Sequence, residues 1–539
     1  MNRDVTVRSR GANGRETNLN KTTMRVEQKT ATKNSIVRLI FVLILIALQF
    51  TWIYVLITSL ESRIPWLSTV ITFGAFILAL TISARHLNAS YRIFWVIMVL
   101  SFPVLGIPFY AVMGRKNSTK RMRLRLERVD GILFRHLAQQ EDALKRLSET
   151  DRRAAQASNY LLKACRFPVY GNTDVRYFPD AADCFESQLA DLEKAEKFIF
   201  LEYYAIEENG AFERALEILK RKAAEGVEIR VTFDDIGSIT FLNNRFVHRL
   251  ESYGIHCQRF NPLLPFLNIF MNNRDHRKIT VIDGRIGYTG GYNLANEYFH
   301  LTEPFGYWKD TGVRLEGDAV KTLTVICMEM WGLMSDHVNL ENGDRFFSVP
   351  AFHAKETGFV QPYADSPLDE EPTGEEVYMN MLRNAEHYAW FVTPYLLITD
   401  EMRREFVAAA KRGVDVRIIT PGIPDKKMVY QETRSYYAGL VRGGVRIFEY
   451  TPGFCHAKMS VSDDVSATVG TINLDYRSLY LHFENGVLFH HCQIVGEIRQ
   501  DFEKMFSESA EVTDHYRKGA QNHFQRTGRA LFRFIAPLL

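Results

Sequence analysis

Two stretches of this 539-residue chain carry the same polar side chains at the same spacing. In HRKITVIDGRIGYTGGYN, His276, Lys278 and Asp283 follow the pattern HxK(x)4D, trailed by Gly290, Gly291 and Asn293. In HAKMSVSDDVSATVGTIN, His456, Lys458 and Asp463 repeat the pattern, trailed by Gly470, Thr471 and Asn473. Imidazole is both a nucleophile and a proton carrier near neutral pH. An ammonium group holds an anionic oxygen, and a carboxamide donates to that oxygen without adding charge. Glycine lets a backbone approach closely. One such set can grip a phosphate but cannot flank it. Two sets facing each other across a pseudo-twofold axis put one histidine on either side of a phosphorus, as in-line displacement requires. Removing one donor to the developing charge costs on the order of 3 kcal/mol of activation free energy.

The elements that carry these residues follow from periodicity. HRKITVI alternates as a strand does, which predicts His276, Lys278, Thr280 and Ile282 on one face. Asp283 and Asp463 then fall on the opposite face or just past the strand end, which suits a structural carboxylate. The motif still keeps both among the candidate catalytic residues. After each motif comes a parallel phrase, WKDTGVRL (308–315) and HFENGVLF (482–489). Aligned on Gly312 and Gly486, these phrases match Asp310 with Glu484, and an acidic side chain behind each histidine would fix its tautomer. No H-e-x-x-H helix, carboxylate cluster or Cys/His ligand spacing is present, so neither a metal nor another cofactor is expected. The six cysteines show no paired spacing and read as buried thiols.

The motifs sit in a larger repeat. Strand 197–204 (KFIFLEYY), helix 210–225, Gly226 and strand 227–234 (VEIRVTFD) return as strand 388–397, helix 400–412, Gly413 and strand 414–421. The separation is 191 residues at the start of the first strand and 187 at the glycine. Strands alternating with helices predict an α/β fold: two related domains, 165–350 and 351–515, each a mixed sheet flanked by helices.

The rest of the chain is uneven in composition. Net charge is +3 and mean hydropathy −0.15, which argues against a generic nucleic-acid binder and against a protein mostly embedded in a membrane. Residues 1–34 hold eight Lys or Arg against three acids and predict a disordered basic tail. Residues 35–113 contain three apolar stretches, 35–60, 64–83 and 94–113, each of a length that can cross a bilayer. Basic residues flank them at the tail, at Arg85 and Arg92, and from Arg115 to Arg128. The positive-inside rule then predicts a hairpin of the first two stretches and a third broken at Pro103 and Pro108, with the catalytic part cytoplasmic. Residues 114–164 read as a basic helical linker, 260–273 as an apolar lip, 365–376 as an acidic mobile loop, and 516–539 as an amphipathic interfacial segment.

The paired motifs resemble the phospholipase D superfamily. The fuller set resembles bacterial cardiolipin synthases of the two-motif type. It comprises PVLGIPFYAVMGR, FLEYYAIEENG, HRKITVIDGRIGYTGGYNLANEY, CHAKMSVSDDVSATVGTINLDYRSLYLHFE and RALFRFIAPLL. The resemblance covers roughly residues 66–539. It implies two pseudo-twofold-related phospholipase D-like domains behind transmembrane helices, in a multi-pass protein of the bacterial plasma membrane. It also implies phosphatidyl transfer between two phosphatidylglycerol molecules, giving cardiolipin and glycerol. His276 is then the nucleophile and His456 the acid and base. Water as the acceptor would make the same residues a phospholipase, and nucleases also occur in the superfamily.

Overall fold

The computed structural model describes residues 66–518 apart from 86–88, 115–119, 244, 263–272, 335–339 and 370, together with parts of 44–59. The expected basic tail and most of the first apolar stretch, of the apolar lip and of the C-terminal segment lie outside the described residues.

Two mixed sheets dominate, and they match strand for strand. In the first half the order is Thr173–Phe178, Gly312–Gly317, Ile286–Gly290, Lys278–Ile282, Phe198–Tyr203, Glu228–Asp234, His256–Phe260. In the second half it is Phe359–Asp365, His482–His490, Ser466–Gly470, Met459–Ser462, Tyr388–Val392, Asp415–Pro421, Arg446–Tyr450, with Ser509–Glu511 added at the edge. In each half the motif strand occupies the fourth place. It runs antiparallel to the strand of the repeat, and that strand runs parallel to the next. These central strands are apolar runs buried on both faces, because helices cover the sheets.

The repeat helices Ala211–Ala224 and Asp400–Lys411 end where the sequence places a glycine. Gly226 and Gly413 take φ of 92° and 99°, a region that a Cβ disfavours. The two sheets share one core. Phe198, Val281 and Leu315 of the first half and Val461, Val469 and Val487 of the second belong to a single apolar cluster. Each such side chain stabilises the fold by about 1.5–3 kcal/mol, so neither half buries its own surface alone.

The N-terminal region is helical. Leu67–Ser83 packs on Ala89–Ser101, and the third apolar stretch breaks at Phe102 (φ −131°, ψ 65°), ahead of Pro103. Two short turns of helix follow, Pro103–Phe109 and Tyr110–Gly114. Among the described residues no helix is long and apolar enough to cross a membrane. The described packing joins the second and third stretches, while the hairpin expected of the first two involves residues largely outside the description. Helix Lys120–Leu133 turns Leu126, Val129 and Leu133 inward, and Arg125 Nε donates to the Gly332 carbonyl at 3.1 Å. This basic stretch is therefore docked along one face.

The acidic segment is anchored at both ends, with a loop between them. Asp365 ends a strand and is buried. Its Oδ2 accepts from Gly374 N at 2.7 Å, in the first turn of helix Thr373–Asn384. The carboxylate satisfies one of that helix's free amides, and composition alone does not reveal such a cap.

Candidate active site

The two halves meet through short parallel bridges just ahead of each motif. Arg274 and Asp275 pair with His482 and Phe483, and His276 N donates to the Phe483 carbonyl at 2.9 Å. In the other half Gly453–Cys455 pairs with Tyr307–Lys309, and His456 N donates to the Lys309 carbonyl at 2.7 Å. Each histidine is thus held by the backbone of the opposite half. The regular strands begin only at Lys278 and Met459, so the histidines stand before the strands, where alternation from HRKITVI had placed them within.

The bridges cross the carboxylates over. Glu484, of the second half, accepts from His276 Nδ1, with its oxygens at 2.9 and 3.0 Å. Asp310, of the first half, accepts from His456 Nδ1, with Oδ2 at 2.7 Å. A carboxylate only accepts, so Nδ1 carries the proton and Nε2 presents its lone pair. Asp310 and Glu484 therefore stand where the sequence alignment puts acids, behind histidines that belong to the other repeat.

Close packing explains the small residues. A Cβ on Gly291 would come within 2.1 Å of Asp310 Oδ1. The counterpart Thr471 instead donates its hydroxyl to Glu484 Oε2 at 2.5 Å.

Both lysines are buried beneath the histidines. Lys278 Nζ donates to the His276 carbonyl at 2.6 Å, and Lys458 Nζ donates to that of His456. Lys458 Nζ also lies 2.7 Å from His456 Nδ1, but an Nδ1 that donates to Asp310 cannot accept there. Burial lowers Lys278 to about 7 and Lys458 to about 8. Burial also raises Asp310 to about 7, and Glu484 is raised well above its ordinary range by the same cause. Both histidines are lowered, first by burial and then by the lysine charges. A buried site of this kind disfavours charge on its imidazoles, and an anion favours the charged form of every base around it.

His276, His456, Asn293 and Asn473 line one pocket of about 250 Å³. Asn293 Nδ2 donates to Tyr298 Oη at 2.8 Å, and its Oδ1 accepts from Ala205 N at 3.1 Å. Asn473 is buried, and its Oδ1 has no hydrogen-bond partner among the described residues.

Asp283 and Asp463 are not brought to this pocket. They sit in left-handed turns (φ 53° each) past the far ends of the motif strands. Asp283 accepts from the backbone of Glu196, Lys197 and Phe198, and Asp463 from that of Glu386, His387 and Tyr388. Their place among the candidate catalytic residues is corrected accordingly: each pins the start of a central strand.

The aromatic walls escaped the sequence reading. Tyr204 and His482 stand 4.9 and 5.5 Å, centroid to centroid, from His276. Tyr298 and Trp308 stand 5.3 and 5.7 Å from His456. The signal was present, since Trp308 and His482 each precede the aligned acid by two positions. His276, His482 and Glu484 are also the one set of donors among the described residues close enough to share a cation, within 4.8 Å of one another. A cation there would compete with the Nδ1 proton of His276 for Glu484.

Comparison with known proteins agrees with this geometry. The family model described as "Cardiolipin synthase, PLD-like domain" matches residues 189–308 and 378–506, one match for each half-site. An uncharacterized protein of Streptococcus mutans is 40% identical over 449 residues, covering 83% of this chain and 96% of that one. A cardiolipin synthase of Geobacillus sp. (strain WCH70) is 32% identical over 478 residues, covering 88% and 94%. The crystal structure of a phosphatidylserine synthase from Haemophilus influenzae Rd KW20 superposes with a TM-score of 0.54 at 15% identity, covering 71% of this chain and 97% of that one. That likeness concerns the fold. With duplicated phospholipase D-like halves and relatives matched over nearly their whole length, the chain belongs to the cardiolipin synthase family of the phospholipase D type.

Proposed function

We propose that the chain transfers a phosphatidyl group between two phosphatidylglycerol molecules, forming cardiolipin and releasing glycerol. The observation that carries this reading is the pair of imidazoles in one pocket, each with a carboxylate on Nδ1 and Nε2 left for the substrate. The names of the curated relatives support the choice of substrate.

The resemblance makes His276 the nucleophile. Its Nε2 attacks phosphorus, the phosphorus–oxygen bond to glycerol breaks, and the His456 imidazolium protonates the departing oxygen. His456, now neutral, takes the proton from a hydroxyl of the second phosphatidylglycerol. That oxygen displaces His276 from phosphorus and restores the enzyme. One phosphodiester replaces another, so the steps balance without a nucleotide. Lys278, Lys458, Asn293 and Asn473 steady the charge on the equatorial oxygens.

A membrane location fits the N-terminal helices. Trp66, Phe73, Phe76, Leu80, Ile97 and Phe102 are exposed there, an apolar surface suited to lipid. Tyr91 stacks on Tyr476 at 5.8 Å, and Tyr476 lines the pocket, so these helices pack behind its wall. Under this proposal the apolar region at the N-terminus anchors the enzyme in the plasma membrane, and the flanking basic residues keep the catalytic part cytoplasmic.

The test is product analysis with purified protein in vesicles of phosphatidylglycerol. Cardiolipin and glycerol in equal amounts are expected. Phosphatidic acid with glycerol would show water as the acceptor and overturn the proposal.

A further inference from the structure

The two half-sites are built alike but walled differently. At equivalent positions of the two bridges, Arg274 pairs with His482 beside His276, whereas Phe454 pairs with Trp308 beside His456. The second wall is aromatic, with Trp308 and Phe454 4.8 Å apart. The first wall is cationic. Arg274 lines the pocket and is 1% exposed. Its Nε donates to Asp234 at 2.9 Å and its Nη2 to the Asn261 carbonyl at 2.8 Å, while Nη1 has no hydrogen-bond partner. Neither ring nitrogen of His482 makes a hydrogen bond, and Nδ1 stands 3.5 Å from Glu484 Oε1. Arg477 and the exposed Lys426 complete this part of the lining. Asp425 and Asp475 face the same pocket: Asp425 accepts from Tyr395 Oη at 2.5 Å and stands 4.0 Å from Lys426 Nζ, and Asp475 caps helix Tyr476–Tyr480.

A buried guanidinium nitrogen without an acceptor, beside an imidazole whose two nitrogens are also unpartnered, is a site that can take an anion. The catalytic histidines and lysines account for one phosphate only. Joining two phosphatidylglycerol molecules brings a second phosphodiester into the same cavity, three carbons and two ester oxygens away from the first. That linker is flexible enough for the attacking oxygen to stay beside His456 while its phosphate lies elsewhere in the pocket. We propose that Arg274, His482, Arg477 and Lys426 form a second anion subsite that holds the phosphodiester of the acceptor lipid. The inference rests on the phosphatidyl-transfer reading and adds what selects the acceptor: a hydroxyl that carries its own phosphate is retained, and neutral alcohols are not.

Two reactions of the full-length protein in phosphatidylglycerol vesicles separate these roles. Cardiolipin formation uses both phosphates. Exchange of labelled free glycerol into phosphatidylglycerol uses the same histidines with a neutral acceptor. Arg477→Gln and Lys426→Gln should each lower the ratio of cardiolipin formed to glycerol exchanged by about tenfold, the value of one charge-assisted hydrogen bond. Arg274→Lys, which keeps a cation beside Asp234, should lower it less. The exchange reaction itself reports that each variant is folded. An unchanged ratio in both Arg477→Gln and Lys426→Gln overturns the subsite and leaves phosphatidyl transfer standing. A wild-type protein that neither exchanges glycerol nor makes cardiolipin removes the transfer reading itself, so the two failures are distinguishable.

Discussion

The half-site around His276 and the half-site around His456 share their backbone and differ in their lining. Both take a histidine from one repeat and its carboxylate from the other, across matching bridges. Around His276 the support is Glu484 backed by the Thr471 hydroxyl, with His482 and Arg274 alongside. Around His456 it is the shorter Asp310 packed against Gly291, with Trp308 and Phe454 alongside. Duplication accounts for what is common, since in-line displacement requires a group on each side of phosphorus. The lining is where the two sides can be given different work, one holding charge and the other excluding water.

The largest effect tests the shared part. His276→Ala and His456→Ala should each lower transfer by about 10⁴-fold or more, and the double variant should be scarcely worse, because the pair acts as one unit. Initial rates of cardiolipin formation measure this, and additive losses would mean that the two histidines act separately. Next come the crossed carboxylates. Glu484→Gln and Asp310→Asn should each cost about 10²–10³-fold in kcat, since a carboxamide of similar shape no longer holds the Nδ1 proton by charge. If only one of the two matters, the half-sites are less alike than their bridges suggest.

The pH dependence follows from the buried lysines. Under the proposed function their ammonium forms steady the phosphate from beneath the histidines, and burial lowers Lys278 to about 7 and Lys458 to about 8. Each lysine loses its charge as pH rises through its value. Accordingly kcat/KM should fall on the alkaline side of pH 7–8, whereas kcat, measured with the phosphate bound, should fall at higher pH. A kcat/KM profile flat to pH 10 would show that neither ammonium contributes.

The smallest effect on chemistry is expected at Asp283 and Asp463. Each accepts three backbone hydrogen bonds far from the pocket, so Asp283→Asn or Asp463→Asn should lower stability by about 1–3 kcal/mol. Thermal unfolding beside kcat distinguishes this role from a catalytic one, since kcat should stay within about threefold.

How far the sequence reached depended on the range of the interaction. The repeat strands, their helices and the terminating Gly226 and Gly413 follow from local periodicity and turn chemistry, and their starts are legible within a residue or two, although the strand read as 388–397 ends at Val392. The duplicated spacing also singles out His276, His456, Asn293 and Asn473, which line one pocket, and Lys278 and Lys458, which lie beneath the histidines. The acids behind the histidines were legible as residues but not as partners. Which acid serves which histidine depends on how two sheets dock, and that docking is set by a core shared between distant segments. Arg274 and His482 were missed for the same reason: they become neighbours only through a bridge between residues two hundred positions apart. Asp283 and Asp463 were drawn toward catalysis by their place in the motif. Period-2 geometry pointed the other way, and the turns at the strand ends agree with it.

The central claim is that two imidazoles from separate repeats bracket one lipid phosphorus and that one of them carries the phosphatidyl group between donor and acceptor. Its most direct test is mass spectrometry of protein quenched during turnover of phosphatidylglycerol. The account predicts a phosphatidyl adduct on His276 that forms in the wild type and is absent from His276→Ala. Full turnover with no adduct on either His276 or His456 would contradict it.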